Sequence, residues 1–392
     1  MIKSLPVILF FLSTYISSYE SNIDNQNLNN FLSPKTILFW NTEEKLYGFK
    51  NMEKILPTRL IEKSDSPYPL TYELKDLDNL TYNYKGKKYT IADYIQAFKV
   101  AGLIVIRDGK ILYESYDFGN NEKSRWVSFS VTKSVTSMLL GAAIKDKHIS
   151  SVKDPIVTYL PQLRDSHYGN VSIEQVLHMS SGVNWDEDYS DPTSDVSLAS
   201  ALNSTKLYDY LSKLGASSEP GNKFNYNTAE SNLIGDLVRS AVGNNLSKYL
   251  EQKIWKPFGM EFDAYWVLDY DYNLELGGCC INATLRDYAR IGIFALNNGN
   301  LKNNINVLPD NWMKQSTTSS PNLEYYGYQW WLDGSDYRSF YADGIFGQFI
   351  WIDPASKTIV AMHSARDDAD VNQYVGGHRL NFMISLLQEI NK

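Results

Sequence analysis

Cysteine is nearly absent from this 392-residue chain, and the only two, Cys279 and Cys280, are adjacent. Neighbouring cysteines rarely meet disulfide geometry, so the fold is expected to stand without bridges. The five histidines (His148, His167, His178, His363, His378) show no ligand spacing such as H-E-x-x-H. The sequence therefore predicts neither a structural nor a catalytic metal, and no cofactor. Positive charge never gathers into a run, and a net charge of −8 offers nucleic acid no electrostatic footprint. Beyond the first residues no apolar stretch is long enough to span a membrane. No G-x-S-x-G elbow occurs, which excludes the lipase pattern of α/β-hydrolases, and no internal repeat is visible.

What is present is globular. Hydrophobic residues make up 43% and aromatic residues 14%, and 28 tyrosines suggest a wet, aromatic-lined groove. Residues 1–20 read as a signal peptide: Lys3 precedes the apolar run Leu5 to Leu12, followed by the small polar residues Ser13, Thr14, Ser17 and Ser18. That address implies a periplasmic or secreted protein. From Tyr19 to about Ser66 the composition predicts an extended arm over the surface.

The remainder alternates in kind. Leu103-Ile104-Val105-Ile106 and Ile111-Leu112-Tyr113-Glu114 flank Asp108-Gly109, a strong hairpin signal. Helical periodicity then dominates over Ser130 to Ile144, Ile173 to Met179, Leu198 to Leu214, Asn227 to Ala241, Leu246 to Trp255 and Thr284 to Leu296. Strands return at Tyr326 to Trp331, Gln348 to Ile352 and Thr358 to Met362, and a helix from Val371 to Ile390 closes the chain. The expected fold is α+β: an antiparallel sheet built from residues 21–129 plus 299–392, flanked by helices, with residues 130–298 as an inserted, mostly helical domain. The seam between the two is the natural cleft, and Ser130 falls where the chain crosses it.

Ser130 and Lys133 lie three residues apart, one helical turn, on a single face. A serine hydroxyl needs a neighbouring base, and a desolvated lysine can serve. The alternative is an ordinary helix start with Ser130 as N-cap. A second S-x-x-K, Ser150 to Lys153, sits among charged residues before Asp154-Pro155 and reads as a solvated loop. Tyr226, after the turn at Pro220-Gly221, could share a proton with this pair or be a core tyrosine. Ala342-Asp343-Gly344-Ile345-Phe346-Gly347 precedes an apolar strand, where glycines permit close approach to a ligand or form a plain turn.

Taken together, Ser130-Val131-Thr132-Lys133, Tyr226 in Phe224-Asn225-Tyr226-Asn227-Thr228, and Asp343-Gly344-Ile345-Phe346-Gly347-Gln348 resemble the serine β-lactamase and penicillin-binding-protein superfamily. The likeness is nearest to class C β-lactamase-like esterases and 6-aminohexanoate-dimer hydrolases. It implies a serine hydrolase acting on a small-molecule or peptide-like ester or amide. In that reading Ser130 attacks, Lys133 and Tyr226 move protons, and the amides of Ser130 and Ile345 hold the oxyanion. Trp185, Tyr189, Asn227, Asp343, Gly344 and Trp331 would meet substrate. Which of Lys133 and Tyr226 acts first as base stays open. Two departures stand out: Thr228 stands where the tyrosine motif often ends in Asn or Ser, and Ala342 occupies the position of the lysine or histidine that meets a substrate carboxylate. The second departure points to a neutral or cationic substrate. The rival readings are a β-lactamase or D-alanyl-D-alanine carboxypeptidase, and a non-catalytic peptidoglycan-binding relative.

Overall fold

Asp108 and Gly109 both take positive φ, 48° and 76°, the tight turn whose twist matches that of paired strands. It joins Val100–Arg107 to Lys110–Tyr116 and seeds the main sheet. The computed structural model describes residues 34–392, apart from positions 78, 201–203, 270, 272, 322, 334–338 and 370–372. The leader-like residues 1–20 lie outside the described residues.

In chain order the strands are β1 (Thr58–Ile61), β2 (Thr71–Tyr72), β3 (Thr81–Tyr84), β4 (Lys87–Thr90), β5 (Val100–Arg107), β6 (Lys110–Tyr116), β7 (Arg125–Val127), β8 (Ala264–Val267), β9 (Ile281–Thr284), β10 (Trp331–Leu332), β11 (Phe340–Asp343), β12 (Phe349–Asp353) and β13 (Thr358–Ser364). The main sheet runs β10-β11-β12-β13-β5-β6-β2. It is antiparallel except where β2 joins β6. β13 pairs with β5, so the C-terminal strands close onto the N-terminal hairpin, giving the expected α+β architecture.

The continuous apolar run of β5 is explained by cover on both faces. Ile104 and Ile106 face one core, Leu103 and Val105 the other, with the two-residue period of a strand. On the first side lie α1 (Val131–Lys145), α2 (Thr228–Val242) and α3 (Leu285–Leu296); on the second lies α4 (Gln373–Ile390). Residues 131–143 of α1 are buried without exception, so it is a central helix with no solvent face.

Several expectations need correcting. The segment from residue 34 onward is no surface arm. Asn41 and Glu44 form a capping box that starts the helix Thr42–Gly48, and Trp40, Phe49, Met52 and Ile61 are buried. The stretch Leu198 to Leu214 is two short helices, Asp195–Ala199 and Ser204–Leu211, the first begun early by the Ser194 cap. Tyr326 to Trp331 is mostly turn, because Gln329 takes φ 61° and buries its amide against Ser231 and Leu177. The block around the helices also gives β8 and β9, which pair with β1 and β7.

Cys279 and Cys280 lie with their Cα atoms 3.3 Å apart. Adjacent residues close no loop, so long-range order comes from packing. Among the described residues no helix is long and apolar enough to cross a membrane, and no group of three or more candidate ligands could hold a metal.

Phe49 packs its ring 5.1 Å from Phe129 and 5.6 Å from Phe346. Phe49→Ala is expected to cost about 3–5 kcal/mol, the usual range for a buried phenylalanine. A change within about 0.5 kcal/mol in chemical denaturation, as for a surface site, would return this segment to the surface.

Candidate active site

Phe129 takes φ 44°, a left-handed turn that aims the next residue, Ser130, into a cleft at the start of α1. Ser130 occupies the helix-cap position, yet its side chain caps nothing. Its hydroxyl is instead engaged by Lys133 Nζ at 2.8 Å. On the facing side Phe346 also has positive φ, 68°. Its ring lies 5.5 Å from that of Phe129, and both lean on Phe49. Left-handed backbone at bulky residues costs on the order of 1–3 kcal/mol, and this aromatic trio supplies the packing that holds both turns.

Lys133 is 2% exposed. Burial pulls its pKa down to about 8, opposed by the Glu187 carboxylate. Besides Ser130 it donates to Thr228 Oγ1 at 3.0 Å and to the Gly278 carbonyl at 3.1 Å. The three acceptors match the three N–H groups of an ammonium. The Thr228 hydroxyl gives its own proton to Glu187, so towards Lys133 it can only accept. When Lys133 becomes neutral, Thr228 and Gly278 hold its two hydrogens. The lone pair then faces Ser130, the one partner with a proton left to give.

Glu187 is the hub of this arrangement, accepting from Trp185 Nε1, from Tyr189 Oη at 2.7 Å, and from both the hydroxyl and the amide of Thr228, the latter at 3.0 Å. Sequence reasoning missed it. The signal was the alternation Trp185, Glu187, Tyr189, which in extended chain places three polar-tipped side chains on one side.

Tyr226 stacks on Trp331 at 5.6 Å, and Lys133 Nζ sits 5.3 Å from its ring centre. Burial, reinforced by Glu187, pushes its phenol well above the ordinary value, against a hydrogen bond with Ser130. The phenol therefore keeps its proton at neutral pH. Gly344 lies so near the start of α1 that a Cβ there would stand 2.5 Å from the Ser128 carbonyl. Only glycine lets this strand end approach Ser130, which brings Ile345 beside it.

A cavity of about 390 Å³ opens from Ser130 and is walled by Tyr189, Tyr226, Trp331, Asp343, Gly344 and Ile345. Two sequence-predicted contacts lie elsewhere. The buried Asn227 accepts from the Glu230 amide at 3.2 Å, starting α2; Trp185 is buried and bonds Glu187. The expected lack of a cation also needs correction. Ala342 is buried in β11, but Arg366 and Arg379 reach the same cavity from outside the motif. Arg379 pairs with Asp343 at 2.8 Å, while Arg366 donates to the carbonyls of Asp368 and Ala369, each at 2.7 Å. Two guanidinium groups line the cavity with Asp343, and Asp368 also acts on Arg366, so charge does not exclude an anionic substrate.

Residues 90–378 match the family described as Beta-lactamase. The chain is 25% identical over 353 residues to the 6-aminohexanoate-dimer hydrolase of Paenarthrobacter ureafaciens, covering 84% of this chain and 88% of that one. Its fold is similar to that of a candidate 6-aminohexanoate-dimer hydrolase from Bacillus anthracis, with TM-score 0.82, 22% identity and coverage of 92% and 98%. It is also similar in fold to a class C β-lactamase variant, with TM-score 0.58, 16% identity and coverage of 76% and 95%.

Because a nearby carboxylate favours the ammonium form, Glu187→Gln is expected to lower the Lys133 pKa below about 8. The ε-carbon chemical shift of Lys133, followed by NMR against pH, reads this directly. An unmoved titration would reduce Glu187 to a purely structural tie.

Proposed function

This chain belongs to the Beta-lactamase family, and on that premise we propose that it is a serine hydrolase cleaving an ester or amide through an acyl-enzyme on Ser130. The observation that carries the proposal is the buried Lys133, bonded to Ser130 at 2.8 Å with its other hydrogen bonds already committed. A pKa near 8 leaves a usable neutral fraction at neutral pH, whereas the raised phenol of Tyr226 leaves almost no phenolate. That contrast favours Lys133 as the first base.

In the proposed cycle Lys133 takes the Ser130 proton and Oγ bonds to the substrate carbonyl carbon. Backbone amides of Ser130 and Ile345 receive the oxyanion. The intermediate collapses as Tyr226 gives its proton to the leaving nitrogen or oxygen, and Lys133 returns a proton to Tyr226. Water then repeats the attack, giving one proton through Lys133 back to Ser130 and releasing the acid. No cofactor enters. Export to the periplasm or beyond is proposed on the leader-like residues 1–20 alone.

A second reading, hydrolysis of carboxylate-bearing lactams or peptides, draws support from Arg366 and Arg379 in the cavity wall. It gains if a penicillin leaves a stable adduct on Ser130.

Intact mass after exposure to a fluorophosphonate should show one adduct that is absent in Ser130→Ala. No adduct on a folded sample would favour binding without turnover. For any ester that is hydrolysed, kcat/KM should rise with pH up to about 8, since the neutral amine is the active form. Below that it should fall about tenfold per pH unit. A profile flat between pH 6 and pH 8 would remove Lys133 as the base.

A further inference from the structure

A second cavity, of about 170 Å³, meets the first at Ser130. The two share Ser130, Tyr189 and Ile345, and otherwise their walls differ in chemistry. The larger presents Tyr226, Trp331, Tyr341 and the Asp343–Arg379 pair with Arg366. The smaller runs behind Lys133 and is walled largely by aliphatic and aromatic groups, among them Met52, Phe129, Val196, Leu207 and Leu276. Two of the carboxylates on it are held by the protein. Asp236 bonds Tyr208 at 2.6 Å and Arg239 at 2.5 Å; Glu275 bonds Arg59 and the Ser247 amide at 3.0 Å.

The placement of the two proton carriers says which half of a substrate goes where. A leaving atom must be protonated as its bond to carbon breaks, so it has to face the group that still holds a proton. That group is Tyr226, which lines the larger cavity and not the smaller. The acyl half must then point the other way, past Lys133. An apolar cleft favours apolar chain by about 0.8 kcal/mol per buried CH₂.

We propose that the smaller cavity is the acyl pocket and that the substrates are esters or amides of unbranched aliphatic acids, with the leaving group in the larger, arginine-bearing cavity. This rests on the serine-hydrolase reading above. It also gives an order of events: the leaving group departs through the wider cavity, which then admits water to Tyr226 and Lys133 while the acyl chain stays seated.

The test uses the full-length enzyme with p-nitrophenyl acetate, butanoate, hexanoate, octanoate and dodecanoate. kcat/KM is expected to climb from acetate to a maximum at intermediate length and then fall. Ala199, partly exposed on the rim of the smaller cavity, tolerates enlargement better than a core position. Ala199→Phe should move the maximum towards acetate and lower octanoate turnover relative to acetate by about tenfold or more, with Val196→Phe as the second variant. Tyr341→Ala, in the other cavity, should leave the chain-length profile in place. A flat profile, or one that neither variant moves while Ser130 still takes the fluorophosphonate, overturns the acyl pocket alone. Absence of both labelling and ester turnover in the unmodified enzyme overturns the hydrolase reading beneath it.

Discussion

The burial of one amine sets the terms for everything around it. An ammonium in the centre of a domain must be paired with a carboxylate, neutralised, or surrounded by acceptors. Here no carboxylate touches Lys133; it meets a serine, a threonine and a carbonyl. Glu187 is held one hydroxyl away, behind Thr228. Direct contact would lock the lysine as a charged ion pair, and complete removal would let its pKa fall further. The intervening threonine passes on part of the carboxylate's influence while keeping its oxygen available as an acceptor.

Two turns in unfavourable backbone conformations, at Phe129 and Phe346, stand on either side of that serine. They belong to segments more than two hundred residues apart, yet their rings meet each other and Phe49. The N-terminal segment thus acts as a brace for the cleft. Lys45 strengthens it, lying over the Phe346 ring at 4.1 Å and donating to the Asp367 carbonyl at 2.7 Å. The same brace keeps Ile345 beside Ser130, so strain at one turn is offset by packing that also fixes the other.

The contact between Ser130 and Lys133 is legible in the sequence because it is local. Ser130 and Lys133 are one turn apart on a helix whose burial is written in its residues, and the hairpin at Asp108-Gly109 follows from turn geometry. What could not be read depends on contacts made after folding. Asn, Ser and Lys around Trp40 and Phe49 suggested solvent, because nothing local shows that their few aromatics meet Phe129 and Phe346. Glu187 lies in an acidic stretch, Asp186 to Asp188, where one carboxylate looks like the next until Thr228 arrives from α2. Arg379 lies on the terminal helix, and only the sheet brings it to Asp343. Asn227 reads as a substrate contact from its place beside Tyr226, whereas helix capping takes its side-chain oxygen.

The third motif shows why a single position is poor evidence for substrate charge. Reading Ala342 alone, a cation is missing; in the cavity, Asp343 and Arg379 form a pair and Arg366 adds a further guanidinium. A guanidinium presents a planar fork of donors, unlike the point charge of a lysine ammonium. Arg366 comes from the chain just after β13 and Arg379 from α4, so the charge of this wall is set by elements that take no part in proton transfer. Lys133, Tyr226 and Thr228 are held by α1, α2 and the Glu187 loop. Asp343 also acts on the Tyr226 phenol, so the wall bears on the proposed proton path only through that carboxylate, and likeness in the proposed catalytic set carries little information about what is cleaved.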